Sequence, residues 1–139
     1  MEKQIFIKHT RDDVDSMIYD IIRYFDAIMT PTLKVVCKFH LNKEQYNLLD
    51  KIKEYHDSKI VRVEPKNGMI FCVEYYDIEL CFSYDRLKAL LQVVVKNELN
   101  VTIFCDSIKM VLNDNDGDFI IVDSRNPNYN FIKGLSLQI

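Results

Sequence analysis

Hydrophobic positions recur along the chain with two periods, and the places where the period changes mark out the elements. Residues 4–8 alternate, with Ile5 and Ile7 on one side, and this predicts a short strand carrying Phe6 and Lys8 on the other. Thr10 then stands where a helix N-cap would. Asp12, Asp13 and Asp15 follow it, acidic residues suited to the unpaired N–H groups and positive dipole end of a first turn. From Val14 the spacing becomes three and four: Met17, Ile18, Ile21, Phe25 and Ile28 form one apolar stripe on a first helix. Thr30-Pro31-Thr32 ends that helix, because the residue before proline is driven out of the helical region.

Residues 33–41 alternate strictly. Leu33, Val35, Cys37, Phe39 and Leu41 share one face, while Lys34, Val36, Lys38 and His40 share the other. The pattern predicts a strand covered on one side and wet on the other. Asn42 and Gln45 have the spacing of a capping box and open a second helix, with Leu48, Leu49, Ile52 and Tyr55 inward and an end near 56–58. Residues 59–64 read as a strand and 65–68 as a turn containing Asn-Gly. Residues 69–75 and 78–82 read as two strands around Tyr76-Asp77, or as one long bent strand. Ser83 caps a third helix over 85–98, with Leu87, Leu90, Leu91 and Val94 buried. Strands follow at 101–105, 107–112 and 119–122, the last two joined by an Asp-Gly turn within 113–118. Residues 124–130 are polar and irregular, and 131–139 alternate as an added edge strand would.

The resulting order, β-α-β-α-β-β-β-α-β-β-β, predicts the α+β class: a two-layer sandwich of a mainly antiparallel sheet with three helices packed on one face. Neither a repeat nor a low-complexity tract interrupts the 139 residues, so 1–139 reads as a single domain.

Composition narrows the function. The chain is 48% hydrophobic and 28% charged, which is folded globular composition. With Lys+Arg at 18 and Asp+Glu at 21, the net charge of -3 carries neither the basic footprint of a nucleic-acid binder nor the charge of a polyanion mimic. Only 3 glycines are present, and no phosphate-loop or dinucleotide fingerprint occurs. No apolar run approaches the roughly 18 residues of a membrane helix, and the first residues lack a secretory core. Cys37, Cys72, Cys81 and Cys105 form no CxxC pair and each lies in an apolar strand-like run, as reduced thiols of a cytoplasmic protein would.

Candidate chemistry is sparse. Asn113-Asp114-Asn115-Asp116-Gly117-Asp118 has calcium-loop composition, but aligning Gly117 to the loop glycine places Leu112 in the first ligand position. A solvated hairpin turn explains it better. His9, His40 and His56 show no metal-ligand spacing, and Cys37 and His40 fall on opposite sides of their strand. Glu74, Glu79, Asp106 and Asp123 are the carboxylates a metal-dependent hydrolase would gather from distant segments, though no spacing singles them out. No cofactor, metal or catalytic set is expected.

Two surfaces remain as candidate binding sites. Lys34, Lys38 and His40 line the polar side of their strand, where basic residues beside aromatics suit protein or nucleic acid. Arg125 and Tyr129, residue types that often anchor interfaces, stand in the polar segment near the end. The leading expectation is a small non-catalytic binding protein: an adaptor, inhibitor or assembly subunit acting on a protein partner. Low Gly and Pro with abundant Ile, Asn, Asp and Tyr is the composition of products of A+T-rich genomes, viral and mobile elements included. The alternative is single-stranded nucleic-acid binding through the open sheet face. A membrane partner is not expected, and an exposed edge strand would permit a homodimer.

Overall fold

The computed structural model describes residues 1–7, 13–28, 34–48, 60–67, 74–105, 107–115 and 117–137; side chains are described within these except at 25, 27, 28, 34, 60–67, 74–76, 84, 85, 136 and 137. Seven strands lie in one sheet: β1 (Glu2–Phe6), β2 (Lys34–Asn42), β3 (Ile60–Asn67), β4 (Glu74–Ser83), β5 (Asn100–Cys105), β6 (Ile108–Asp114) and β7 (Gly117–Asp123). The described helices are α1 (Val14–Ile28), α2 (Lys43–Tyr46), α3 (Tyr84–Lys96) and α4 (Tyr129–Leu137). The strand order is β1-β7-β6-β5-β2-β4-β3, and every neighbouring pair is antiparallel. This is an α+β protein with an open antiparallel sheet. No described helix is long and apolar enough to cross a membrane.

Strict alternation decides which side of each strand is buried. Val35, Cys37, Phe39 and Leu41 of β2, Val101, Ile103 and Cys105 of β5 and Ile78, Leu80 and Phe82 of β4 are all buried. They join Ile21 and Tyr24 of α1, Leu90 and Val94 of α3 and Ile132 of α4 in one hydrophobic cluster. The helices reach the cluster through apolar stripes of period 3.6. Lys88 of α3 pairs with Asp26 of α1 at 3.4 Å outside it.

Caps sharpen the ends. Asp13, rather than a residue further upstream, stands before α1, and its Oδ2 accepts the Ser16 N–H at 3.2 Å and the Ser16 hydroxyl at 2.7 Å. Thr10 lies outside the described residues. The expected capping box at Asn42 and Gln45 is present in both directions. Leu49, Ile52 and Tyr55 of the expected second-helix stripe lie outside the described residues. Ser83 holds the N-cap position of α3, but its side chain makes no capping hydrogen bond.

Two expectations need correction. The segment 65–68 does not turn at Pro65: β3 continues to Asn67, with Pro65 opposite Tyr76. β3 ends the strand order, and a proline, having no N–H, is tolerated on an edge. Gly68 lies outside the described residues. Of the two readings around Tyr76-Asp77, the single strand holds over the described residues: β4 runs through both. The tail forms α4, not an edge strand: Tyr129, Ile132 and Leu135 are spaced by three, with Ile132 and Leu135 buried and Phe131 and Lys133 exposed. Asn126 Oδ1 accepts the Asn128 N–H at 2.8 Å and turns the chain into that helix.

Candidate binding face of the sheet

The side chains opposite the core cluster fall into rows that run from strand to strand through the pairings, away from the register shifts at Val111/Asp114 and Ile60/Arg62. One row runs Gln4, Ile121, Lys109, Phe104, Val36 and Cys81 across β1, β7, β6, β5, β2 and β4. The next runs Phe6, Phe119, Val111, Thr102, Lys38 and Glu79 across the same strands. In a third, Asn100, His40 and Asp77 are successive partners. The second row is apolar at β1, β7 and β6 and charged at β2 and β4, the third is polar, and the first is mostly apolar, interrupted by Gln4 and Lys109. Val111 and Phe119 are buried yet stand outside the core cluster, consistent with their position on this second face.

Ring and cation contacts organise the apolar side. Phe6, 48% exposed, meets Phe119 edge-on with centroids 5.9 Å apart. Half-buried Phe104 has the Lys38 ammonium 5.0 Å and the Lys109 ammonium 5.7 Å from its ring centroid. Glu79 stands directly opposite Lys38 in the register, but the ammonium goes to the ring instead. Among the described residues neither lysine has a carboxylate partner.

On the polar side, His40 Nδ1 lies 2.8 Å from Asp77 Oδ1, so the imidazole is oriented across the strand pair. The two residues rim an open depression of about 190 Å³ together with Lys38, Glu79, Asn100 and Thr102. The backbone of Lys34 is paired with Ser83, and its side chain lies outside the described set.

Arg125 and Tyr129 lie elsewhere. Arg125 follows β7, where its Nε and a terminal nitrogen donate to the two oxygens of Asp123 at 3.1 and 3.0 Å. The guanidinium, with the Arg125 N–H beside it, holds the Asp123 carboxyl well below the usual carboxylate range, and the arginine is raised in turn. Tyr129 is half-buried at the start of α4, packed against the core.

The other candidates stay dispersed. Glu79 and Asp123 lie on β4 and β7, with β2, β5 and β6 between them. Asp106 and the side chain of Glu74 lie outside the described set. Among the described residues no group of three His, Cys, Asp or Glu could hold a metal ion. In the Asp-Gly turn, Asp118 Oδ1 accepts the Asn113 N–H at 2.7 Å. Cys37, Cys81 and Cys105 are free thiols. Burial pushes the Cys37 thiol well up, with Cys105 and Cys81 adding to it, so it stays protonated and is a poor nucleophile. Cys72, His9 and His56 lie outside the described residues.

Phe104, Lys109, Val111, Phe119 and Ile121 escaped the sequence reading as residues of the outer face. A signal existed for Phe104, which alternates with Ile103 and Cys105. For Ile120-Ile121-Val122 there was none, since a continuous apolar run hides its outward member until the pairing is known.

The chain matches no known protein family, curated protein or solved structure.

Proposed function

We propose that this chain is a non-catalytic protein-binding module that works through the outer face of its sheet, as an adaptor, inhibitor or assembly subunit. The observation that carries the reading is the apolar band on the side opposite the core cluster: Phe6, Phe119, Ile121 and Phe104, with Val36 and Cys81 continuing it. A monomer that used neither face for recognition would carry charged or polar side chains there; a contiguous apolar band rimmed by polar groups is the composition of an interface. The reading includes a two-layer arrangement, with α1, α3 and α4 on one side of the sheet and the partner on the other. Free thiols in the core fit work inside the cell, in the cytoplasm. Arg125 is committed to Asp123 and Tyr129 to the core, so the face outranks the β7–α4 connection as the binding surface.

The second reading, single-stranded nucleic acid, draws on Lys38 and Lys109 beside Phe104. Against it, Glu79 stands beside Lys38 in one row and Asp77 beside His40 in the next, so the basic residues do not form a continuous track for a phosphate backbone.

The test is quantitative capture from nuclease-treated lysate of the native host cell, comparing the parent with a Phe104→Ser/Ile121→Ser variant. Proteins held by the parent and lost by the variant are the expected result. Identical capture by both removes the face from the function. Capture that disappears on nuclease treatment moves the nucleic-acid reading ahead.

A further inference from the structure

We infer that the segment received by this face is an amphipathic α-helix whose apolar stripe is flanked by Asp or Glu; this rests on the protein-binding reading above. The band crosses six strands, a distance of about 24 Å. A helix of roughly 16 residues has that length. An extended segment laid on the face of a sheet would leave its own N–H and C=O groups unpaired, because ladder bonds are available only at an edge. A helix satisfies its backbone internally and presents a continuous stripe.

The charges specify the flanks. Lys38 and Lys109 stand on either side of Phe104, Lys109 within the band and Lys38 where it meets the polar rows, and neither is neutralised by a described carboxylate. Covering them with an apolar surface alone would bury two uncompensated cations, which is costly. Carboxylates beside the stripe of an incoming helix compensate both while its apolar residues meet Phe6 and Ile121. A second copy of this chain fits poorly. A two-fold axis near Phe104 sets the lysine pair of one copy against that of the other. A polyphosphate chain fits poorly too, because it offers no apolar surface to Phe6 and Ile121.

Two roughly 18-residue helix-forming peptides with the same leucine stripe, one flanked by Glu and one by Lys, test the inference by fluorescence anisotropy on the full chain. The Glu-flanked peptide is expected to bind at least about tenfold tighter. Lys38→Glu/Lys109→Glu is expected to reverse that preference. Lys38→Gln/Lys109→Gln, which keeps the stems on the ring, is expected to abolish it and serves if the double Glu variant does not fold. Equal binding, preference for the Lys-flanked peptide, or no binding of either overturns the inference. So does self-association in sedimentation that Phe104→Ser abolishes, or displacement of the peptide by a single-stranded oligonucleotide. If these fail while the face variant still loses its captured proteins, the protein-binding reading survives without the acidic helix. If capture is also unchanged, both fall.

Discussion

Arg125 donates through two side-chain nitrogens to Asp123, and the N-terminal amine reaches the same carboxylate at 3.2 Å. Glu2 and Asp123 are register partners, so this cluster ties the outermost described strand on that side, β1, to β7. The Asp123 carboxyl is depressed by its hydrogen bonds to Arg125, so the folded state holds the anion more firmly than the unfolded chain does. Its contribution is complete above the unfolded value of about 4 and is lost as pH falls through the lower folded value. Asp123→Asn is therefore expected to melt below the parent at neutral pH, with the gap narrowing as the pH drops under about 4. Thermal melts followed by circular dichroism at several pH values check this, and a gap independent of pH would contradict it. Asp123 was visible in the sequence as one of several scattered carboxylates. Nothing local says that its partners are a neighbour two residues on and the far end of the chain.

At the scale of elements, the exit of α3 shows how one residue sets a helix end. Glu98 has φ 54, in the left-handed region. Leu99 N–H bonds Val94 C=O at 3.0 Å and Glu98 N–H bonds Val95 C=O at 3.4 Å, the double bond pattern that closes a helix with a left-handed residue. Glycine takes that conformation without the side-chain clash that Glu98 bears. Glu98→Gly is expected to stabilise the protein by about 0.5–1 kcal/mol in urea unfolding; destabilisation would mean that the side chain contributes more than its strain costs. Asn113, at φ 59, then ties the β6–β7 turn to the same exit, its amide donating to Val94 and Leu99 carbonyls at 3.2 and 2.8 Å. That link was hidden in a segment whose composition read only as a solvated turn. α1, β2, α3 and the β6–β7 hairpin were legible because each carries a clear period or turn signal. The tail was misread because Phe131, Leu135, Leu137 and Ile139 fit period two while Tyr129, Ile132 and Leu135 fit period three, in a run too short to separate them.

At the scale of the whole molecule, the two faces of the sheet differ in what they contribute. Phe39 is buried in the core cluster, while Phe104, on the opposite face, is half-buried under two lysine ammoniums. Phe39→Ala is expected to cost about 3–5 kcal/mol of unfolding free energy. Phe104→Ala is expected to cost about 1 kcal/mol or less. Similar losses in chemical denaturation would show that the outer face is packed as a core and is not available to a partner. The sequence by itself determined the α+β class, most of the elements and the inward side of the alternating strands, because these depend on short-range periodicity that each segment carries within itself. The tertiary structure alone decided the strand order, the fate of the tail and the outward rows that bring Phe6, Phe119, Ile121, Phe104, Lys38 and Lys109 onto one face. Those rows exist only once strands distant in the chain are paired in register, and no periodicity within a segment encodes which strand will be its neighbour.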